Sequence, residues 1–308
     1  MRFRKADLPR LLTALRIPET VHLGNRIRVN GEEALCVLLT RMAYPCTYNA
    51  LAAIFGRERS IVCRLFRGTL DHVFETQKHR LQDYLGFWAP KFHYLSCCID
   101  RKRMASGLPD NMIEESHKRV VGFIDGTLRA CSRPKAVGGF DIQRQCYNGW
   151  KKKHAIKFQA VEGPNGMTLD LYGPVTGSHN DNFLLRMSEI TQRMQNYPDA
   201  QRYRIYGDSA YPMGEHITRP YKNPVDGQGF INSVMSELRI CVEWGFARNV
   251  NLFAYCDYPK GLHLLSTPIG RVYVVAVLLR NANNALYGGE TSRYFDCLPP
   301  TLEEYFQV

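Results

Sequence analysis

Val120-Val121-Gly122-Phe123-Ile124-Asp125-Gly126-Thr127 sets the reading of the whole chain. Its apolar, β-branched start suits a short buried strand, and the run closes on an acid followed by glycine. Two further segments, His154–Val161 and Met167–Gly173, are apolar or alternating, and Gly163-Pro164-Asn165-Gly166 between them is a tight-turn signal. Three strands in meander order are therefore predicted. The period then changes. Asp181–Met194 carries Phe183, Leu184, Met187, Ile190 and Met194 on one helical face, with Asp181 where an N-cap or first-turn acid belongs. A fourth strand, Tyr203–Tyr206, ends at Gly207-Asp208. Beyond Pro212, Pro220 and Pro224, the stretch Asn232–Asn249 reads as a helix bearing Glu243. The order β-β-β-α-β-α predicts an α/β fold with a mixed sheet flanked by helices, which matches a ribonuclease-H-like plan.

Upstream the pattern is helical. Asn30 with Glu33 three positions on has the form of a capping box, opening a helix through Ala34, Leu35, Val37, Leu38 and Leu39 that Pro45 ends. Thr47–Phe55 forms a short helix with Leu51, Ala52 and Ile54 inward. Gly56 makes the turn, and a second helix carries Ile61, Val62, Leu65, Phe66, Leu70 and Val73 at helical spacing. This is helix-turn-helix organisation, with Arg57, Arg59, Arg64 and Arg67 on or near the free face where phosphates or base edges are met. An ordinary helical hairpin with solvated arginines has the same pattern. Residues 100–118 mix charge with Gly and Pro and read as a linker. The division that follows is a helical DNA-binding region over 1–100 and a catalytic domain over 115–290.

The chain has 308 residues, 45% of them hydrophobic, enough for one large core or two modest ones. Forty Lys and Arg against 29 acids leave a net charge of +11, which favours polyanionic partners, although solubility alone also accounts for basic surfaces. The ten cysteines show no C-x-x-C pair and no matched Cys/His spacing, so neither a zinc site nor a disulfide framework is expected. The N-terminal MRFRKADLPRLL lacks the apolar core of a signal peptide. Leu262–Leu279 is interrupted by His263, Pro268 and Arg271 and reads as a buried core helix, so no membrane span is expected.

Asp125, Asp208 and Glu243 are the candidate catalytic residues. Two carboxylates at strand ends and a third on a later helix can converge on a pair of hard divalent cations, which take oxygen ligands and break phosphodiester bonds. Each acid has an ordinary alternative: Asp-Gly forms turns, and Glu243, flanked by Val242, Trp244 and Phe246, needs a partner that is either a metal or Arg239 four residues earlier. Asp181 is either a further metal ligand or a helix cap.

Five segments occur in one order: Gly122–Thr127, Tyr147-Asn148-Gly149-Trp150-Lys151-Lys152-Lys153-His154, Gly177-Ser178-His179-Asn180-Asp181, Gly207-Asp208-Ser209-Ala210-Tyr211-Pro212 and Arg239-Ile240-Cys241-Val242-Glu243-Trp244-Gly245-Phe246. Together, over about residues 120–285, they resemble the PIF/Harbinger superfamily of DDE transposases and its domesticated nuclease relatives. The resemblance implies catalytic Asp125, Asp208 and Glu243, with Asp181 as a further acid beside Mg²⁺ or Mn²⁺. It also implies cleavage and strand transfer at transposon ends on double-stranded DNA, in a nuclear protein that works as a homo-oligomer and with a Myb-like accessory protein. The family's turn after the first Asp is usually followed by His or a small polar residue, whereas here Leu128-Arg129 follows, a departure that bears on substrate contacts more than on metal binding. Lys151, Lys152 and Lys153 track a DNA backbone, or form a charged strand entrance or import patch. Two rival readings are a domesticated DNA-binding protein that keeps the fold without cutting and, since the helical pair suits duplex DNA better, less readily an RNA nuclease.

Overall fold

The computed structural model describes residues 2–24, 27–134, 141–264 and 266–308. After helix α1 (Leu8–Ala14), strands β1 (Thr20–His22) and β2 (Arg28–Asn30) pair antiparallel and lead into α2 (Gly31–Ala43). Asn30 caps α2, its Oδ1 accepting from the Glu32 amide at 2.7 Å. The reciprocal half of the expected capping box gives way to a stronger bond: Glu33 is taken by the Arg57 guanidinium, at 2.9 and 2.8 Å. Helix α3 (Tyr48–Phe55) is capped by Thr47, and Gly56 ends it in the left-handed conformation, φ +60°, which glycine adopts without strain. Helix α4 (Arg59–Gln77) follows and buries Val62, Leu65, Phe66, Leu70 and Val73. Ile54, expected inward, is 64% exposed because two-turn α3 buries only Leu51 fully. The four arginines divide as well. Arg57 is held by Glu33 and Arg64 donates to the Leu23 carbonyl at 3.2 Å, while Arg59 and Arg67 stay on the exposed side.

Helix α5 (Phe92–Ala105) runs into the stretch expected to be a linker. Buried Arg103 holds that stretch down, donating to the Leu108 carbonyl at 2.5 Å and to Asp100 at 3.2 Å. The sheet begins with β3 (Val120–Ala130), followed by β4 (Tyr147–Asn148), β5 (Lys153–Glu162) and β6 (Thr168–Thr176). β7 (Arg204–Tyr206) and β8 (Ile217–Thr218) complete it. β3 and β5 are antiparallel from Phe123↔Glu162 to Ala130↔Ala155, and β5 pairs antiparallel with β6. On its other side β3 runs parallel to β7, and β7 parallel to β8. The spatial order β6-β5-β3-β7-β8, with β4 on the end of β5, is a mixed sheet that fits a ribonuclease-H-like fold.

The single helix expected over Asp181–Met194 is two, α6 (Asp181–Ser188) and α7 (Ile190–Asn196). The break falls at Glu189, φ +53°, where Ser188 Oγ turns back to donate to the Leu185 carbonyl at 2.8 Å. Helix α8 (Gln228–Leu252) carries Glu243, and α9 (Ile269–Tyr287) is buried from Ile269 to Asn284 along most of its surface. α9 starts only after Pro268, later than the expected Leu262. Among the described residues, no helix is long and apolar enough to cross a membrane. α4 packs on α9 and α5 on β3, so one hydrophobic cluster joins Leu38 and Leu65 of the N-terminal helices to Val274 and Phe158.

Candidate active site

Strand register brings the first two acids together. β3 and β7 run parallel to the pair Phe123↔Tyr206, and Asp125 and Asp208 each lie two residues beyond it. Adjacent strands are about 4.8 Å apart, so the two carboxylates leave one sheet edge side by side. The geometry corrects one expectation: Asp125 does not close its strand, because β3 continues through Ala130 with Asp125 opposite Ala160 of β5. It is β7 that stops, at Tyr206, and Asp208 beyond it is near enough to add to the charge felt by Asp125. Asp208 turns its own loop, its Oδ1 accepting from the Ala210 amide at 2.9 Å.

Asp181 arrives from the first turn of α6. The cap of that helix is Asn180, whose Oδ1 accepts from the Phe183 amide at 2.9 Å, so Asp181 is not the N-cap. Its carboxylate lies on Gly126 instead: a Cβ there would stand 2.1 Å from Asp181 Oδ1. Lys157 Nζ of β5 is 2.9 Å from the same oxygen, an ion pair whose angle is too poor for a hydrogen bond.

Glu243 stands apart from the three aspartates. Its side chain is 60% exposed on α8, contrary to the burial its apolar neighbours suggest, because Val242 and Gly245 take the inward positions. The link is Arg239, one turn earlier. Its Nη1 donates to Asp125 Oδ2 at 2.9 Å while Nη2 lies 3.9 Å from Glu243 Oε1.

The electrostatics record this crowding. Burial raises the Asp125 carboxyl above its ordinary range; Arg239 and the Gly126 amide oppose the rise, and Asp208 and Asp181 add to it. Tyr211, fully buried behind the Gly207-Asp208 turn, has its phenol pushed well above the usual value by burial and then by Asp181, Asp125 and Asp208. Its ring fills the space a Cβ on Gly207 would take, at 2.7 Å. Lys157 escaped the sequence reading, as did the role of Tyr211 within its quoted segment, although a lysine inside the buried run Ala155–Glu162 was a usable signal.

The match to known proteins falls on this region. Residues 124–281 fit the model of the family described as DDE superfamily endonuclease. The chain belongs to that family. The four candidate acids read from the sequence, Asp125, Asp181, Asp208 and Glu243, lie within the matched residues. No curated protein and no solved structure matches the chain.

Donor chemistry tests whether a cation suits the site. Three carboxylates share one region, and Asp181 Oδ1 is buried without a hydrogen-bond partner. A set of hard oxygen donors with an excess of negative charge fits Mg²⁺ or Mn²⁺. Among the described residues, no three His, Cys, Asp or Glu side chains already form a metal cluster. Arg239 and Lys157 now neutralise Asp125 and Asp181, and Glu243 lies more exposed on the far side of Arg239.

Proposed function

We propose that this DDE endonuclease is of the PIF/Harbinger type, a nuclear enzyme that cuts double-stranded DNA at transposon ends and transfers the freed 3′-hydroxyl into target DNA. The carrying observation is the register of β3 and β7, which sets Asp125 beside Asp208 with Asp181 against Gly126. Asp125, Asp181 and Asp208 would hold the divalent metal and Glu243 would complete the ligand set. When bound, such cations supply activation of the attacking oxygen and stabilise the leaving one.

The chain's own residues do the rest. The β3 and β5 backbones fix Asp125 rigidly, and the Asp208 turn fixes the second acid from its own loop. Lys157 holds Asp181 in place and, with its Nζ 3.3 Å from the His179 carbonyl, keeps the α6 entrance closed against the sheet. Arg239 compensates the Asp125 charge and presents a planar donor fork at the site edge, suited to a scissile phosphate. In this reading α3 and α4 form the duplex-binding unit, separate in role from the catalytic domain, with Arg59 and Arg67 toward phosphates. A Myb-like partner and self-association belong to the same proposal.

The test is nicking of a supercoiled plasmid carrying terminal inverted repeats taken from the locus, with Mg²⁺ or Mn²⁺. Asp125→Ala, Asp208→Ala and Glu243→Ala are each expected to lower cutting at least 100-fold, as loss of a transition-state interaction does, with DNA affinity nearly unchanged. Variants that all cut like the parent remove the mechanism. Binding without cutting in the parent protein itself selects the domesticated DNA-binding reading.

A further inference from the structure

An open groove of about 740 Å³ leads away from the acids, its inner end formed by Gly126, Lys157 and Asp181 and its outer end by the hairpin between β4 and β5. Trp150 at that hairpin is 87% exposed, the most exposed large hydrophobic side chain among the described residues. Lys151 within the turn and Lys153 at the start of β5 line the groove.

The hairpin is built to hold this shape. Asn148 Nδ2 donates to the Gly177 carbonyl at 2.7 Å while its Oδ1 accepts from the Lys151 amide at 2.8 Å, which ties the tip to the loop that carries His179 and Asp181. Lys152 takes the left-handed conformation, φ +51°, which a non-glycine residue adopts at a cost. A costly turn that lifts a tryptophan out of the core, beside cations and next to a cluster of acids, calls for an occupant.

Chemistry selects the occupant. The lysines along the groove favour a polyanion, and an indole face stacks on any base that is not already stacked in a duplex. The hairpin tip is too small to read a paired groove, but it offers one flat aromatic surface of the size of a base. We infer that Trp150 is a stacking platform for an unpaired base of the DNA strand beside the cut, with Lys151 and Lys153 meeting the phosphates of that strand. The inference rests on the proposed cutting reading only for where the cut lies.

The experiment uses the full chain in EDTA, so that nothing is cut. Tryptophan emission and DNA affinity are followed on titration with oligodeoxythymidylate, with a duplex ending in three unpaired nucleotides, and with the same duplex fully paired. Quenching of tryptophan emission by the first two probes is expected. Trp150→Ala is expected to abolish the quenching and weaken both by about tenfold, the equivalent of about 1.4 kcal/mol, with less than twofold change on the paired duplex. Trp150→Tyr is expected to keep most of the affinity. Parent protein that shows no quenching overturns the inference, as does Trp150→Ala that binds unpaired ends like the parent or loses paired duplex equally. Quenching that persists in a protein unable to nick plasmid with Mg²⁺ leaves the stacking platform standing and removes the cutting reading instead. Nicking without quenching does the reverse.

Discussion

Gly126 occupies a place in β3 where a strand would ordinarily carry a side chain, and the reason lies in Asp181, which comes from a different element. An alanine Cβ would sit 2.1 Å from Asp181 Oδ1 and 2.9 Å from Lys157 Cε, far inside contact distance. Gly126→Ala must therefore push the α6 entrance away from Asp125. A displacement of about 1 Å at reacting groups costs on the order of 100-fold in rate, so plasmid nicking is expected to fall by at least that factor. Thermal melting should change little, since the strand ladder is intact. A variant that nicks normally would show that Asp181 has no part in the site. From the sequence alone Asp125-Gly126 looks like a turn, because the pressure on the glycine comes from residues distant along the chain. The acids themselves were legible as residue types, but only Asp208 follows the end of its strand, since β3 runs on past Asp125. Their counter-charges were legible only in part: Arg239 was readable as a partner of Glu243 four residues on, but its reach to Asp125 and the pairing of Lys157 with Asp181 come from residues distant along the chain.

At the scale of elements, the strands were readable because apolar runs bounded by Gly and Pro have few other uses, and β3, β5, β6 and β7 lie where those runs predict. Two-residue β8 carries too little pattern to be seen, and the kink at Glu189 has no Gly or Pro to announce it. The layer contacts were invisible altogether. The main one is the buried pair Glu162–Arg280, both 1% exposed, where β5 meets α9 with oxygens and nitrogens at 3.0 Å. Thr168 Oγ1 donates to the same carboxylate at 2.7 Å. Helix α8 crosses this pair at Gly245, where a Cβ would be 2.8 Å from Glu162 Cδ, so the pair also sets the height of the helix that carries Glu243. Glu162→Gln leaves the Arg280 charge buried without its counter-ion and is expected to lower unfolding free energy by about 3–5 kcal/mol, read from urea denaturation. Replacing both residues with Met should recover most of that loss, since no lone charge remains. A single variant as stable as the parent would mean that water reaches the pair.

Over the whole molecule the relevant quantity is charge. A surplus of eleven positive charges favours polyanions at long range, and in the proposed reading it would steer the protein to DNA without choosing a sequence, with the exposed cations Arg59, Arg67, Lys151 and Lys153 as points of contact. The proposed reading involves two separate regions, the α3–α4 pair and the groove beside the acids. If both touch one duplex, about six to ten phosphates are neutralised, and affinity should fall by roughly 10³ to 10⁵ between 50 and 200 mM salt. Fluorescence anisotropy in EDTA measures this without cutting. Arg59→Ala and Arg67→Ala should each reduce the slope of log affinity against log salt by about 0.9, one phosphate apiece, and their effects should add because each removes a separate counter-ion. Asp125→Ala should leave the slope where it is, since no phosphate contact is lost. A flat salt response, or slopes untouched by the α4 arginines, would assign binding to the groove alone and leave α3 and α4 as a structural hairpin packed on α9.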